Sequence, residues 1–211
     1  MDGLNPRGGW IEVITGGMFS GKSEELIRRI RRAEIARQRT QIFKPAMDNR
    51  FDVKRIISRD NRGLDAIAVN NTSELRSNIV LGVKVVGIDE VQFFDESIVD
   101  VCMEMADAGV RVITAGLDQD YLRRPFGPMP ALLAVAEYVS KMHAVCVRCG
   151  GPAHYSQRVS GGNSQIEVGD ISYEARCRQC FEPYRAVPAS DSNVTQIKTA
   201  VGALNTVPGD D

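Results

Sequence analysis

The sequence predicts an α/β protein with a parallel sheet flanked by helices and a small cysteine-containing module. Three observations lead to this fold class: apolar runs alternate with segments of helical periodicity, GGMFSGKS follows the first apolar run, and two Cys-x-x-Cys pairs lie near the C-terminal side. We therefore expect an α/β domain over residues 8–142, a metal-binding module over 143–188 and a disordered polar tail over 189–211.

Each strand is predicted from a short apolar run, and each helix from a 3.6-residue period. The predicted strands cover 10–15, 40–45, 66–69, 83–89 and 110–116. The predicted helices cover 23–38, a segment capped by Thr72 or Ser73, 96–108 up to Gly109, and the stretch ALLAVAEY at 131–138. The charged stretch 46–62 and the proline-containing stretch 117–130 are predicted to be loops. The buried face of the first helix is predicted to consist of Leu26, Ile27, Ile30 and Ala33.

Composition restricts the function classes. The net charge of −1 argues against binding nucleic acid through the overall field, and no apolar run approaches the roughly 20 residues of a membrane span. The first residues lack a basic segment followed by an apolar one, which argues against secretion. We therefore expect a cytoplasmic protein with reduced thiols, in which Cys102 is a small buried residue of a helix.

The stretch Gly16–Ser23 has the G-x-x-x-x-G-K-S spacing of a phosphate-binding loop between a strand and a helix. Backbone amides of such a loop point at the phosphates, and the helix adds its positive N-terminal end. Lys22 is predicted to reach the β- and γ-phosphates, and Ser23 to provide a hydroxyl to Mg²⁺. The loop predicts binding of a nucleoside triphosphate.

Two carboxylates follow the apolar run VVGI at 85–88. Asp89, at the strand end, is placed to hold Mg²⁺ or its water ligands, and Glu90 is placed to act as a general base. That base serves an attacking hydroxyl and an attacking water equally well. On these residues alone, a kinase and an ATPase are equally favoured.

The two Cys-x-x-Cys pairs are Cys146 with Cys149 and Cys177 with Cys180. Four thiolates at this spacing predict a closed tetrahedral zinc site with a structural role. His143 and His154 lie nearby but are expected to be surface or packing residues, because the four cysteines complete the ligand set. Zinc ribbons often bind nucleic acid, so a RecA-like, nucleic-acid-stimulated ATPase with a zinc ribbon is the alternative function.

The segments GGMFSGKS, GIDEVQFF and LDQDYLRRPFG together with the two cysteine pairs resemble the type II, zinc-containing thymidine kinases over residues 10–185. This resemblance implies a RecA-like P-loop domain, a zinc-anchored lasso loop and a homotetramer. It implies transfer of the γ-phosphoryl group of ATP, with Mg²⁺, to the 5′-hydroxyl of thymidine or deoxyuridine in nucleoside salvage for DNA synthesis. It also implies feedback inhibition by dTTP. From the net charge and the apolar runs, we expect neither nucleic acid nor a membrane as a partner.

The resemblance assigns individual residues by position. It makes Glu90 the catalytic base, and it places Asp48, Asn49, Arg50 and Asp89 to Gln92 near the phosphates. The ATP and phosphate residues are Gly16, Gly17, Met18, Phe19, Ser20, Gly21, Lys22, Ser23, Asp48, Arg50, Asp89 and Gln92. The residues around the nucleoside are Met18, Phe93, Tyr121, Phe126, Ile166, Val168, Gly169 and Tyr173.

Overall fold

A six-stranded sheet, parallel throughout, forms the centre of the molecule in the part of the chain that the structure describes. The computed structural model describes residues 8–46, 55–57, 63–159 and 172–183. The strands are β1 Trp10–Gly16, β2 Thr40–Pro45, β3 Arg55–Ile57, β4 Gly63–Asp65, β5 Ile67–Val69, β6 Val85–Ile88, β7 Arg111–Gly116, β8 Tyr138–Met142, β9 Ala144–Val145, β10 Pro152–Ala153, β11 Tyr155–Arg158 and β12 Tyr173–Arg176. The helices are α1 Lys22–Ile35, α2 Thr72–Ser77, α3 Ile98–Asp107 and α4 Met129–Val135, with a 3₁₀ turn at Val91–Phe93.

The strand order of the sheet is β5-β2-β6-β7-β1-β8. Because the strands are parallel, the loops after β1, β6, β7 and β8 meet at one edge of the sheet, where ligands bind in open α/β folds. The short strands β9 to β12 form two antiparallel pairs that continue from β8. The predicted fold class, a parallel sheet flanked by helices with a cysteine module, is confirmed.

The core lies on both faces of the sheet because successive strand residues point to opposite sides. One apolar cluster joins α1 to the sheet and includes Leu26, Ile27, Ile30 and Ala33, the face predicted from the sequence. The larger cluster, on the other face, includes residues of α2, α3 and α4. Cys102 is fully buried in it, and burial raises the pKa of its thiol to about 12. This matches the apolar role expected for Cys102.

The observed ends of two helices differ from the predicted ones, and one predicted loop contains a strand. Helix α1 ends at Ile35 instead of residue 38, because Arg37 adopts the left-handed conformation with φ 57°. The cap of α2 is Asn71, whose side-chain oxygen accepts a hydrogen bond from the amide of Glu74, so the prediction of Thr72 or Ser73 was wrong. Residues 55–57 pair with 63–65 as a hairpin, in a segment predicted to be a loop.

The edge strand β8 was missed by the sequence analysis. The apolar period of ALLAVAEY predicted a helix through Tyr138, whereas α4 ends at Val135 and Tyr138 begins β8. The strand has an exposed outer side, with Tyr138 and Val139 about half exposed. It therefore lacks the continuous apolar run that identifies the buried strands.

Glu12 is a carboxylate buried within β1. Its two oxygens accept hydrogen bonds from Arg29 of α1 at 2.6 Å, Arg111 of β7 at 2.6 Å and the Trp10 indole at 2.7 Å. Arg29 also donates to Ser140 of β8 at 2.8 Å. Burial raises the pKa of Glu12, but the hydrogen bonds from Arg111, Trp10 and Arg29 outweigh it and hold that pKa below its ordinary value. The network ties α1 to three strands.

Replacement of Glu12 by Gln is expected to lower the free energy of unfolding by about 2 to 3 kcal/mol at pH 7, since two partly buried arginines lose their partner. Because the folded-state pKa is lowered, this contribution is fully present above the ordinary value of 4.5 and is lost as the pH falls through the lowered one. Denaturant unfolding of both proteins at several pH values measures the difference. Glu104→Gln, which removes an exposed ion pair with Arg76, is the control and should change little. A difference that persists unchanged at low pH would contradict the assignment.

Candidate active site

The phosphate-binding loop connects β1 to α1, and three of its residues have positive φ, which neither strands nor helices use. Gly16, Phe19 and Gly21 have φ of 142°, 67° and 81°. A side chain at Gly16 would place its Cβ 2.3 Å from the carbonyl oxygen of Met142 in β8, so only glycine fits there. Lys22 folds over the loop and donates to the carbonyl of Gly17 at 2.8 Å. The loop has the strand and helix context that the motif requires.

Asp89 lies at the end of β6, and its carboxylate accepts a 3.4 Å hydrogen bond from the hydroxyl of Ser23. In the sheet, β7 lies between β1, which leads into the loop, and β6, which ends beside Asp89. Ser23 nevertheless reaches Asp89 because α1 crosses the face of the sheet. The hydroxyl and the buried carboxylate together are oxygen ligands of the kind Mg²⁺ prefers.

Glu90 has the left-handed backbone conformation, with φ 49° and ψ 40°. This conformation is costly for a residue with a side chain and often marks functional sites. Its amide donates to the Asp89 carboxylate at 3.0 Å, and its own carboxylate accepts from the Gln92 side chain at 2.5 Å. Gln92 is buried, and its oxygen accepts from the amide of Leu117 at 3.0 Å. The carboxylate of Glu90 is thus oriented by a side chain anchored to the loop after β7.

Four residues predicted to surround the nucleoside lie in the segments that meet at this edge. The rings of Phe93 and Phe126 are in edge-to-face contact, 5.6 Å apart at their centroids. Met18 is half-buried in the phosphate-binding loop, and Tyr121 is buried in the loop after β7. The structure brings Phe93 and Phe126 into contact, and their role around the nucleoside stays a prediction.

Some predicted site residues lie outside the described residues. These are Asp48, Asn49 and Arg50 near the phosphates, and Ile166, Val168 and Gly169 in the lasso. Tyr173 is described and opens β12, where it pairs with Arg158 of β11.

The thiols of Cys146, Cys149, Cys177 and Cys180 form one group, with all four sulfur atoms within 4.8 Å of one another. A tetrahedral Zn²⁺ with bonds of about 2.3 Å separates its sulfur ligands by about 3.8 Å. The 3.6 Å between the sulfurs of Cys149 and Cys177 fits that geometry. The set therefore fits zinc, and all four positions of a closed structural site are supplied by the chain.

The pKa values of the four thiols differ from one another. Burial raises the pKa of Cys146, but backbone amides of Cys177, Cys149 and Arg148 outweigh it and lower that pKa to about 6. Hydrogen bonds with the thiols of Cys177 and Cys149 raise the pKa of Cys180 to about 12. Cysteine binds metal as the thiolate, so metal binding by this group releases protons.

His143 and His154 are not members of the cysteine group. Their rings are in edge-to-face contact, 4.3 Å apart at the centroids. Burial lowers the pKa of His154, and the charge of the nearby His143 lowers it further. The histidines are one exposed and one half-buried, which agrees with the surface and packing roles expected from the sequence.

The cysteine module packs directly on the phosphate-binding loop. The amide of Met18 donates to the hydroxyl of Ser156 in β11 at 2.9 Å. Phe19 packs against a small apolar cluster that contains Cys146. A Cβ at Gly17 would lie 3.2 Å from the carbonyl oxygen of His154, so the module leaves little room for a side chain there. The module that carries the four cysteines therefore supports the phosphate-binding loop.

Arg158 was missed by the sequence analysis. It is 2% exposed at the end of β11, with its guanidinium carbon 3.6 Å from the ring centroid of Tyr121. It also donates to the hydroxyl of Tyr173 at 2.6 Å. Both tyrosines were predicted to contact the nucleoside. An arginine in a polar strand carries no signal of burial, because its partners come together only in the fold.

A strand, phosphate-binding loop and helix, with a carboxylate pair at the same sheet edge, are typical of P-loop phosphotransferases and ATPases. The thymidine kinase family model matches residues 9–181, and the chain belongs to that family. It is 51% identical over 187 residues to the thymidine kinase of Rhodothermus sp. (strain ITI 518), covering 88% of this chain and 86% of that protein. Identity to the thymidine kinase of Bdellovibrio bacteriovorus is 50% over 184 residues, which cover 87% and 90% of the two chains. Identity to that of Porphyromonas gingivalis (strain W83) is 50% over 189 residues, which cover 88% and 91%.

Among the described residues, every helix is too short or too polar to cross a membrane.

Replacement of Cys149 by Ser is expected to abolish stoichiometric zinc binding, since three thiolates leave the tetrahedral set incomplete. Because Phe19 packs against the cluster that contains Cys146, affinity for ATP should fall as well. Metal analysis and equilibrium ATP binding measure the two effects. Cys102→Ala, which alters a buried thiol outside the cysteine group, should lower stability and retain zinc. Full zinc content in Cys149→Ser would contradict the four-ligand site.

Proposed function

We propose that this protein transfers the γ-phosphoryl group of ATP to the 5′-hydroxyl of thymidine, and of deoxyuridine, to form the nucleoside monophosphate. Membership of the thymidine kinase family supports this reaction. The observation in the site that carries it is the Glu90 carboxylate, held by Gln92 beside the pair of Asp89 and Ser23. A fixed carboxylate next to a metal-binding pair is what deprotonation of an attacking hydroxyl requires.

The donor side is assigned to the loop Gly16–Ser23 and the end of β6. Its amides and Lys22 would hold the triphosphate, while Ser23 and Asp89 would hold Mg²⁺, which neutralises phosphate charge when bound. Gln92 orients Glu90 and borders the donor site. Asp48 and Arg50 belong to the same proposal, with Arg50 as the cation that stabilises the transferring group.

The acceptor side is assigned to the segments that face this edge from the sheet and from the cysteine module. Met18, Phe93, Tyr121 and Phe126 would enclose the thymine ring, because flat bases stack on aromatic side chains. Tyr173 would contact the sugar or base. The main chain at Ile166, Val168 and Gly169 would read the edge of the pyrimidine.

We also propose the wider organisation of the protein. Residues 8–142 would form the nucleotide-binding domain and 143–188 the zinc-anchored lasso domain, while the tail predicted over 189–211 lies outside the described residues. The protein works in the cytoplasm, where thiols remain available to zinc, and assembles as a homotetramer. It acts in nucleoside salvage for DNA synthesis, without nucleic acid or membrane as a partner.

The reaction is tested with γ-labelled ATP, Mg²⁺ and single nucleosides: thymidine, deoxyuridine, deoxycytidine and uridine. Label should appear in thymidine monophosphate. Release of inorganic phosphate that is stimulated by DNA or RNA and indifferent to thymidine would instead support the alternative, a nucleic-acid-stimulated ATPase.

Glu90→Gln is expected to lower kcat for thymidine by roughly 10²- to 10⁴-fold, the usual contribution of a general base. ATP affinity should be retained, because the phosphate-binding loop is unchanged. Single-turnover kinetics and equilibrium ATP binding separate the two quantities. Glu96→Gln, at an exposed carboxylate in the same segment, is the matched control. Equal turnover in the Glu90 and Glu96 variants would remove Glu90 from the mechanism.

We expect dTTP to inhibit competitively against thymidine, with its base in the nucleoside pocket and its phosphates directed at the donor loop. Initial rates at several thymidine and dTTP concentrations measure the pattern. Inhibition independent of thymidine concentration would place dTTP outside that pocket.

A further inference from the structure

Arg158 is a large cationic side chain enclosed by the fold at the end of β11. Burial of a guanidinium is costly unless other groups replace its water contacts. The guanidinium of Arg158 contacts two aromatic residues, Tyr121 and Tyr173.

The two aromatic residues come from different parts of the chain. Tyr121 lies in the loop after β7, and the face of its ring is 3.6 Å from the guanidinium carbon of Arg158. Tyr173 lies opposite Arg158 in the pairing of β11 with β12, and its hydroxyl accepts a 2.6 Å hydrogen bond from the guanidinium. The guanidinium carbon is also 5.3 Å from the ring centroid of Tyr173. One side chain therefore fixes both tyrosines.

We infer that Arg158 is a positioning residue for the nucleoside: it holds Tyr121 and Tyr173 in one rigid arrangement and so links the α/β domain to the cysteine module at the acceptor site. This inference rests on the proposed function, which assigns both tyrosines to the nucleoside. A planar guanidinium suits the position because it stacks on one ring while it donates in its own plane to the other residue. Its effect reaches the substrate through the tyrosines.

The role predicts a selective kinetic change. In Arg158→Gln the stack on Tyr121 and the charged donor to Tyr173 are both lost, so KM for thymidine should rise by about tenfold or more. KM for ATP should stay within about twofold, because the phosphate-binding loop keeps its own contacts with Ser156. If Arg158 only supported the fold, its replacement would raise the KM values for both thymidine and ATP or lower the amount of active enzyme.

Arg123→Gln is the matched control. The guanidinium of Arg123 also stacks on aromatic rings, 4.8 Å from the centroid of Phe181 and 5.6 Å from that of Tyr155. It belongs to the same loop as Tyr121, but neither of its rings is assigned to the nucleoside. KM for thymidine should remain near the wild-type value in this variant.

Arg158→Lys provides a second variant if Arg158→Gln loses zinc or fails to fold. Lysine keeps the charge and most of the volume but lacks the planar face. We expect a folded, zinc-loaded enzyme whose KM for thymidine rises by about threefold or more at unchanged KM for ATP. An unchanged thymidine KM in folded Arg158→Lys, or equal rises for both substrates, overturns the inference.

The same series separates this inference from the proposed function. Failure of the wild-type protein to phosphorylate any nucleoside would overturn the proposed function and, with it, the assignment of Arg158. Wild-type activity on thymidine, together with Arg158 variants that behave like Arg123→Gln, would overturn the positioning role alone.

Discussion

The close approach of backbone at the end of β1 is the constraint on which the site depends. At Gly16 the chain passes so near to β8 that a Cβ would overlap the Met142 carbonyl, and at Gly17 a Cβ would lie 3.2 Å from the carbonyl oxygen of His154. The phosphate-binding loop is therefore enclosed between the sheet edge and the cysteine module. Both the sheet edge and the cysteine module therefore restrict the conformation of the loop.

Because of this packing, the group of four cysteines affects parts of the site outside its own module. A closed four-thiolate site has no open position for chemistry, so its contribution is to hold chain segments together. The chain between the two cysteine pairs carries Ser156, which accepts from the loop amide of Met18, and Arg158, which contacts Tyr121 and Tyr173. Donor and acceptor sides of the proposed reaction thus share one structural support.

Two of the four non-glycine residues with positive φ in the described part of the chain lie at the proposed site. Phe19 and Glu90 both adopt the left-handed conformation without being glycine. At Glu90 the strain is offset locally by the Asp89 carboxylate, the Gln92 side chain and the following 3₁₀ turn. The result is a carboxylate held in one orientation before any substrate arrives, which lowers the cost of reorganisation in a proton transfer.

The sequence by itself determined the α/β class, the phosphate-binding loop, the carboxylate pair and the four cysteines, because each depends on residues close in the chain or on a fixed period. The buried strands and the inner face of α1 were readable for the same reason. Tertiary structure alone decided the edge strand β8, the passage of β7 between β1 and β6, the buried network around Glu12 and the stacking of Arg158. Each of these joins residues far apart in sequence, and local spacing carries no record of such contacts.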